Sequence, residues 1–292
     1  MKKTYLYAGI SVLFWSTTTT VTKLLLGSLS SMMVLAVTSG FAFAFLLILC
    51  ACTGKLKLLR GCSWKDYGIM FGMGTLGIFI YHLLLYIGID ILGAGRSMII
   101  NYLWPIFPVV SAVILLKEKM TIRKWIAIGM SFLGIIVVMA DSSGGALGSD
   151  AITGGVLCVL AAASYGICVV LNKRLPYDKT FGMMMYYFAS FVVSGVYVLF
   201  TGEQFAPELP QLAGLVYMGV FNSAIAFVTW ALAMRDGNTA AVSNLAYLSP
   251  VLSLVWAALL LSERIGWSCI LGLALIIGGI FVQMTGEKQV KK

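Results

Sequence analysis

The sequence predicts an all-α integral membrane protein in which ten transmembrane helices form two inverted five-helix repeats. Three observations predict this fold: the length of the apolar runs, a repeat within the sequence and the distribution of basic residues. The chain has 292 residues, of which 60% are hydrophobic and 11% are charged. A soluble domain of this size cannot bury so much apolar surface, and the apolar runs are close to the ~20 residues that cross a bilayer.

Ten apolar runs follow one another along the chain, and turn-forming residues divide the pairs that lie closest together. Gly27 and Ser28 separate the first two runs, and residues 235–238, Arg-Asp-Gly-Asn, separate the eighth from the ninth. The predicted transmembrane spans are residues 5–26, 30–53, 66–89, 95–116, 123–140, 151–172, 180–200, 211–234, 239–261 and 266–284.

A stretch of the fourth span recurs in the ninth, at a constant shift of 145 residues (250 − 105) and without gaps. The superimposed pairs are Tyr102 and Tyr247, Leu103 and Leu248, Pro105 and Pro250, Glu118 and Glu263, Gly134 and Gly279, and Gly74 and Gly219. We therefore predict two copies of one unit, at residues 1–140 and 151–285. A linker at 141–150 joins them, and a cytoplasmic tail follows at 286–292.

The basic residues predict the orientation, because cytoplasmic loops of membrane proteins carry an excess of Lys and Arg. With the N-terminus inside, all 20 of these residues lie in cytoplasmic segments except Lys23, Arg96 and Arg264. Both termini are thus predicted to be cytoplasmic, and the net charge of +9 indicates no nucleic-acid partner. Five spans per half invert the second half relative to the first. Inverted repeats are common in alternating-access carriers, which hold their substrate between the repeats.

The single histidine, His82, lies within the third span. A histidine inside a membrane needs a partner or a wet cavity. The start of the fourth span lies at a similar depth, so His82 can meet Asn101, Tyr102 and Trp104 there. We predict a substrate site at this level. The alternative is that His82 donates a hydrogen bond to a neighbouring backbone carbonyl and only joins helices.

The repeated prolines predict breaks in the fourth and ninth spans. Pro105 and Pro250 each remove one backbone hydrogen bond, which frees the carbonyls of Asn101 and Ala246. Within a membrane such carbonyls need a partner, a water molecule or a ligand. We expect the breaks to lie beside the central cavity and to bend during gating; simple packing kinks are the alternative.

Other residues extend the predicted site. Trp15 and Tyr165 lie deeper than an interfacial aromatic belt, and we expect them to line the pocket from two sides, with core packing as the alternative. Asn244 and Tyr247 would have a matching part on the inner side. No Asp or Glu lies in the middle of a span, which disfavours capture of cations on a buried carboxylate. The cysteines lack metal-site or redox spacing, so we predict no metal or cofactor. We also predict no enzyme activity, because the one histidine has no carboxylate at the same depth and the sequence offers no cluster of His, Cys and Asp.

These features resemble a known superfamily. The inverted five-helix halves, the Pro–apolar run–Glu pattern closing each half and the Gly-rich last helix resemble the drug/metabolite transporter superfamily, and each half is similar to its EamA repeat. Residues 81–82, Tyr-His, and 101–105, Asn-Tyr-Leu-Trp-Pro, are similar to cavity residues of the bacterial aromatic amino acid exporters. The resemblance implies a cavity lined by Tyr81, His82, Tyr102 and Trp104. Tyr165 is the nearest counterpart of an aromatic residue midway along their sixth helix.

The resemblance also implies a function. We expect a carrier in the bacterial plasma membrane, monomeric rather than oligomeric, that exports a small-molecule substrate. Amino acids with an aromatic or large apolar side chain are the foremost candidates. The alternative is a multidrug exporter of neutral or cationic amphipathic compounds, because aromatic boxes also hold cations.

Overall fold

The computed structural model describes residues 2–107, 110, 121–140, 149–236 and 245–290. Within these residues, all regular secondary structure is helical. The α-helices are α1 (Lys2–Ser16), α2 (Thr18–Leu26), α3 (Ser31–Cys52), α4 (Trp64–Gly74), α5 (Tyr81–Leu92), α6 (Ala94–Asn101), α7 (Ile122–Ala140), α8 (Ser149–Arg174), α9 (Lys179–Thr201), α10 (Leu209–Val216), α11 (Ala226–Asp236), α12 (Leu248–Leu261) and α13 (Trp267–Val290). Two π-helical segments, π1 (Thr75–Ile80) and π2 (Tyr217–Ile225), join α4 to α5 and α10 to α11, and a 3₁₀ segment covers Lys55–Gly61.

Among the described residues, five continuous helices are long and apolar enough to cross a membrane, and they fall on the second, third, sixth, seventh and eighth predicted spans. They are Ser31–Cys52, Trp64–Leu92, Ser149–Asn172, Lys179–Thr201 and Leu209–Met234. Shorter apolar helices on the fifth, ninth and tenth predicted spans are Trp125–Met139, Leu248–Leu261 and Trp267–Val282. Large apolar side chains cover the outside, such as Phe200 with 89% exposure, and a surface of this kind suits lipid better than water.

The two helices that contain π segments begin with the same kind of cap. The Ser63 N–H donates to the Asp66 carboxylate (2.8 Å), and the Glu208 N–H donates to the Gln211 side chain (2.8 Å). Each pair is a capping box, in which the side chain at the third helical position accepts from the residue that precedes the helix. The shift of 145 residues (208 − 63) superimposes the two caps. The repeat therefore includes the N-terminal caps of α4 and α10.

The first predicted span is interrupted, contrary to the prediction of one helix over residues 5–26. Ser16, Thr17 and Thr18 each donate a side-chain hydrogen bond to the carbonyl three residues earlier, at 2.7 Å. Such bonds compete with the helical backbone pattern and bend helices. As a result α1 ends at Ser16 and α2 begins at Thr18.

The helix breaks predicted beside the prolines are present. The helix α6 ends at Asn101, turn residues occupy 102–105, and helical structure resumes at Ile106. In the second half, turn residues at 246–247 precede α12, so Pro250 lies in the first turn of that helix, where a proline is tolerated.

The carbonyls that these prolines free find partners in the backbone. The Trp104 N–H donates to the Asn101 carbonyl (3.1 Å), and the Ser249 N–H donates to the Ala246 carbonyl (3.0 Å). In each half the chain tightens so that the residue before the proline replaces the missing donor, as a 3₁₀ turn does. Side chains, rather than bare carbonyls, therefore supply the polar groups near the breaks.

Close glycine contacts join α7 to α13. A Cβ atom at Gly134 would lie 2.7 Å from the Gly272 carbonyl oxygen, and one at Gly279 would lie 2.7 Å from the Ala127 carbonyl oxygen. The start of each helix thus meets the end of the other, so the pair is antiparallel. The shift of 145 residues exchanges the two contacts, since it carries Gly134 to Gly279 and Ala127 to Gly272.

A second pair of contacts links helices of the two halves. Gly74 lies against α9, where an added Cβ would be 2.7 Å from the Tyr186 Cα atom. Gly219 lies against α3, where an added Cβ would be 2.6 Å from the Thr38 carbonyl oxygen. Equivalent glycines therefore allow equivalent helices to approach, each across the boundary between the halves.

The ends of α3 and α9 are tied by a third pair of contacts. The caps Ser30 and Asp178 precede these helices. Ser30 donates to Glu203 beyond the end of α9 (2.8 Å), and Lys55 donates to Asp178 from beyond the end of α3 (2.8 Å). A shift of 148 residues (178 − 30, 203 − 55) relates the two contacts. Burial opposes ionisation of Asp178, but the Lys55 hydrogen bond and two backbone N–H groups prevail and lower the pKa of its carboxyl group.

Helices extend into both the predicted linker and the predicted tail. Residues 141–148 of the predicted linker lie outside the described residues, and α8 begins at Ser149, within that linker. The last helix, α13, continues to Val290, so most of the predicted tail extends the helix.

Candidate functional site

A cavity of about 190 Å³ lies between the two halves. Seven of the sequence-predicted residues line it: Trp15, Tyr81, His82, Asn101, Tyr102, Trp104 and Tyr165. They come from α1, α5, α6, the turn after α6, and α8. The interrupted helices bring them together, because π1 precedes Tyr81 directly and the turn at 102–105 directs the chain around the cavity.

Aromatic rings form one wall of the cavity. The Tyr165 ring lies 5.0 Å from the Tyr81 ring and 5.4 Å from the Trp104 ring, the latter edge-to-face at 80°. Trp15 pairs with Trp230 at 5.2 Å. Pairs of this geometry contribute about 0.5–1.5 kcal/mol beyond burial. The wall is therefore held together by its own ring contacts before any ligand arrives.

His82 lines the cavity and also contacts a backbone carbonyl of its own helical segment. Its Nδ1 atom lies 2.8 Å from the Ile78 carbonyl oxygen, and since a carbonyl only accepts, Nδ1 carries the hydrogen. The ring also contacts Tyr81 and Tyr86 edge-to-face, with centroids 4.6 and 5.7 Å away. The backbone bond fixes the ring while it lines the cavity, and Nε2 remains as its second polar atom.

Three residues bring buried polar atoms without a hydrogen-bond partner among the described residues to the cavity. They are the Asn101 Oδ1, Tyr102 hydroxyl and Ser249 Oγ atoms. Leaving such an atom unpartnered costs about 1–3 kcal/mol, so buried polar atoms are nearly always paired. Asn101 is already oriented, because its Nδ2 donates to the Tyr81 hydroxyl (3.1 Å). These atoms thus have hydrogen-bonding capacity that the described residues do not use.

Several lining residues were missed by the sequence argument. Asn222 lies within π2 and donates to the Phe14 carbonyl and to Thr18 (3.0 Å). It ties the second half to the break between α1 and α2. The rule that marked His82, that a polar side chain in a membrane needs a partner, would also have found Asn222. Other lining residues not predicted as site residues include Tyr187, Ser223, Trp230 and Ser249.

Not all predicted residues reach the cavity. Tyr247 is set back from it, 6.1 Å from the Tyr102 ring and 5.2 Å from the Phe281 ring. Pro105 and Pro250 shape the adjoining turns but do not line the cavity. Asn244 lies outside the described residues. In the second half, Ala246 and Ser249 line the cavity instead.

The lining is uncharged apart from any proton on His82. No Asp, Glu, Lys or Arg is among the lining residues that the structure describes, and the described part of the chain holds no cluster of His, Cys, Asp and Glu suited to a metal ion. The site therefore suits a molecule that combines an apolar or aromatic part with a polar group and carries little net charge.

A bundle of apolar helices around an aromatic and polar cavity defines the class of solute carriers. The sequence model of the EamA-like transporter family matches residues 2–140 and again residues 152–285. The chain belongs to this family, and it is a multi-pass membrane protein.

Relatives agree with this assignment. The chain is 23% identical over 287 residues to an uncharacterized transporter of Archaeoglobus fulgidus, covering 97% of this chain and 98% of the relative. It is 23% identical over 210 residues to the aromatic amino acid exporter YddG of Ancylobacter novellus, covering 72% and 73%. The crystal structure of another protein shows the same fold. It matches this chain with a TM-score of 0.71 and 20% sequence identity, and the match covers 100% of each of the two chains.

Proposed function

We propose that this chain is a ten-helix carrier that exports small amphipathic metabolites from the bacterial cytoplasm by alternating access. Amino acids with an aromatic or large apolar side chain are the proposed substrates. The observation that carries the proposal is the cavity, which is lined both by aromatic rings and by three polar atoms without a hydrogen-bond partner among the described residues. The carrier acts as a monomer in the plasma membrane, with both termini cytoplasmic.

Paired contacts support the inverted repeat within this proposal. The 145-residue shift exchanges the two contacts between α7 and α13, and relates the contacts of Gly74 and Gly219. Contacts that map onto one another in this way are expected of two copies related by a two-fold axis. The separate family matches to residues 2–140 and 152–285 also support two repeat units.

The cavity chemistry supports the proposed substrate class. An aromatic side chain would stack within the wall formed by Tyr81, Trp104 and Tyr165. The ammonium and carboxylate groups of an amino acid would then reach the polar atoms, since hydroxyl groups both donate and accept and the Asn101 oxygen accepts. The name of the Ancylobacter novellus relative, an aromatic amino acid exporter, agrees with this substrate class.

The size of the cavity bears on the alternative cargo. Pockets for drug-sized ligands usually measure about 300–1,000 Å³, whereas this cavity measures about 190 Å³. A small metabolite fits that volume better than a multidrug substrate. The uncharged lining also disfavours cationic drugs, because no described lining carboxylate would neutralise them.

Flux through purified protein in liposomes tests the proposal. We expect saturable flux of labelled tryptophan and phenylalanine, competed by unlabelled aromatic amino acids but not by glycine or glutamate. A matched control is Trp125→Ala, which alters an exposed tryptophan on the outer surface, and should move substrate like the parent. Flux of amphipathic cations, with none of amino acids, would select the alternative cargo; no flux of either would refute both.

A further inference from the structure

A carboxylate of the second half caps the helix that carries the cavity residues of the first half. Glu263 accepts two backbone hydrogen bonds, from the Ala94 N–H (2.7 Å) and from the Gly95 N–H (2.9 Å). These are the first N–H groups of α6, which have no partner within the helix. The positive end of the helix dipole also attracts the negative charge.

Both loops are shaped around this carboxylate. Ser262, just before Glu263, has a φ of 54°, and it is the only non-glycine residue with a positive φ among those described. Gly93, just before α6, has a φ of 85°, and a Cβ atom there would lie 2.7 Å from the Glu263 Oε1 atom. Only glycine avoids both the backbone strain and the clash. The contact is therefore specified from both sides.

The short helix α6 connects this contact to the cavity. It has eight residues, from Ala94 to Asn101, and therefore rises about 12 Å. Its far end leads directly to Asn101, Tyr102 and Trp104, which line the cavity. A displacement of the capped end would move all three residues together, because little flexible backbone lies between.

The residue types of this contact recur in the sequence. The 145-residue shift carries Glu263 to Glu118 and Gly93 to Asn238. Asparagine is among the residues that best tolerate a positive φ after glycine. The sequence thus repeats the acidic residue and the turn residue in each half, as expected for a device that serves both halves.

We propose that Glu263 is a positioning residue for substrate binding: through α6 it places Asn101, Tyr102 and Trp104 in the cavity and couples the loop between α12 and α13 to the site. This inference rests on the proposed function for its substrate, but not for its structural step. None of the hydrogen bonds that the structure describes for Glu263 involves a lining residue, so its proposed action passes through the helix.

The test combines hydrogen–deuterium exchange with ligand binding in purified, detergent-solubilised protein. We expect Glu263→Ala to speed exchange of the α6 amides and to raise the Kd for tryptophan about tenfold, since both charge-assisted hydrogen bonds are lost. Glu263→Gln keeps one acceptor oxygen and should fall between the parent and the alanine variant. The matched control is Glu203→Ala, which removes another carboxylate contact between the halves, to Ser30, and should leave both readouts unchanged.

Each outcome decides a different step. Unchanged α6 exchange in Glu263→Ala would overturn the positioning role. Faster exchange with a parental Kd would overturn the coupling to the site. Equal effects in Glu203→Ala would also contradict the proposal, because they would indicate a general loss of stability. If the parent binds no aromatic amino acid, the proposed substrate fails, while the exchange data still decide whether Glu263 holds α6.

Discussion

The two halves share a backbone turn before each proline, but they present different side chains on it. The Trp104 N–H bonds to the Asn101 carbonyl in one half, and the Ser249 N–H bonds to the Ala246 carbonyl in the other. The first turn brings Asn, Tyr and Trp to the cavity; the second brings Ala and Ser. The proline fixes the turn in both copies, so the repeat conserves the break while the side chains diverge. The two turns therefore contribute different side chains to the cavity.

The two π segments also carry different side chains at equivalent positions. The 145-residue shift carries Gly77 to Asn222 and His82 to Phe227. Gly77 allows a close approach to Cys168, where an added Cβ would lie 2.9 Å from the sulfur, whereas Asn222 hydrogen-bonds across to α1 and α2. One copy therefore uses the position for packing and the other for a polar tie.

The largest expected effect comes from the aromatic turn. Trp104→Ala should weaken binding of aromatic amino acids by about 2–3 kcal/mol, or roughly 30- to 150-fold, through lost ring contacts and burial. The measurement is tryptophan competition binding to purified protein. The control Trp125→Ala removes an exposed tryptophan and should bind tryptophan like the parent. If Trp104→Ala also bound with the parental affinity, the aromatic turn of the first half would not contribute to substrate binding.

The next effect concerns stability rather than binding. Asn222→Ala should destabilise the protein by about 1–3 kcal/mol, because the Phe14 carbonyl and Thr18 lose a buried partner. Thermal unfolding in detergent measures it. Thr201→Val is the control, since its hydroxyl bonds only within its own helix at an exposed site, and should change little. If both variants lost a similar amount of thermal stability, the hydrogen bonds of Asn222 between the halves would contribute no more than an exposed hydroxyl does.

A smaller effect is expected from the second turn. Ser249→Ala should weaken substrate binding about fivefold, near 1 kcal/mol, as one polar contact is lost. Its thermal stability should stay equal or rise, because a buried hydroxyl without a partner among the described residues is removed. Affinity and stability measured on one preparation check these opposite signs. A falling stability with unchanged affinity would place the Ser249 hydroxyl in the fold instead of the site.

The smallest effect sharpens the comparison of the two helix caps, Ser30 and Asp178. The pKa of Asp178 is lowered in the folded protein, so its stabilising contribution is present above the unfolded pKa of about 3.9. That contribution is lost as the pH falls through the folded pKa. Asp178→Asn should therefore flatten the fall in melting temperature below pH 4. Ser30→Ala removes a cap that does not titrate and should leave the slope unchanged; equal slopes in the parent and Asp178→Asn would contradict this.

Much of the site could be predicted because the membrane makes polar residues conspicuous. His82 and Asn101 stand out in apolar spans, and the paired prolines locate the breaks. The break at Thr17 could not be predicted, because serine and threonine are tolerated in helices and only their rotamers decide whether they bend the chain. The sequence showed that the prolines free the Asn101 and Ala246 carbonyls, but not that the residue before each proline would become their donor. Trp230 was missed because an aromatic residue in an apolar span carries no mark of which face it occupies.

The most direct test of the central claim is to locate a bound substrate. Crystals of the protein with 5-bromotryptophan would give an anomalous signal from the bromine atom. The account predicts one peak inside the cavity, against the wall formed by Tyr81, Trp104 and Tyr165, with the amino acid backbone near Asn101 and Ser249. A peak outside the cavity, or an occupied cavity with the indole turned away from that wall, would contradict it.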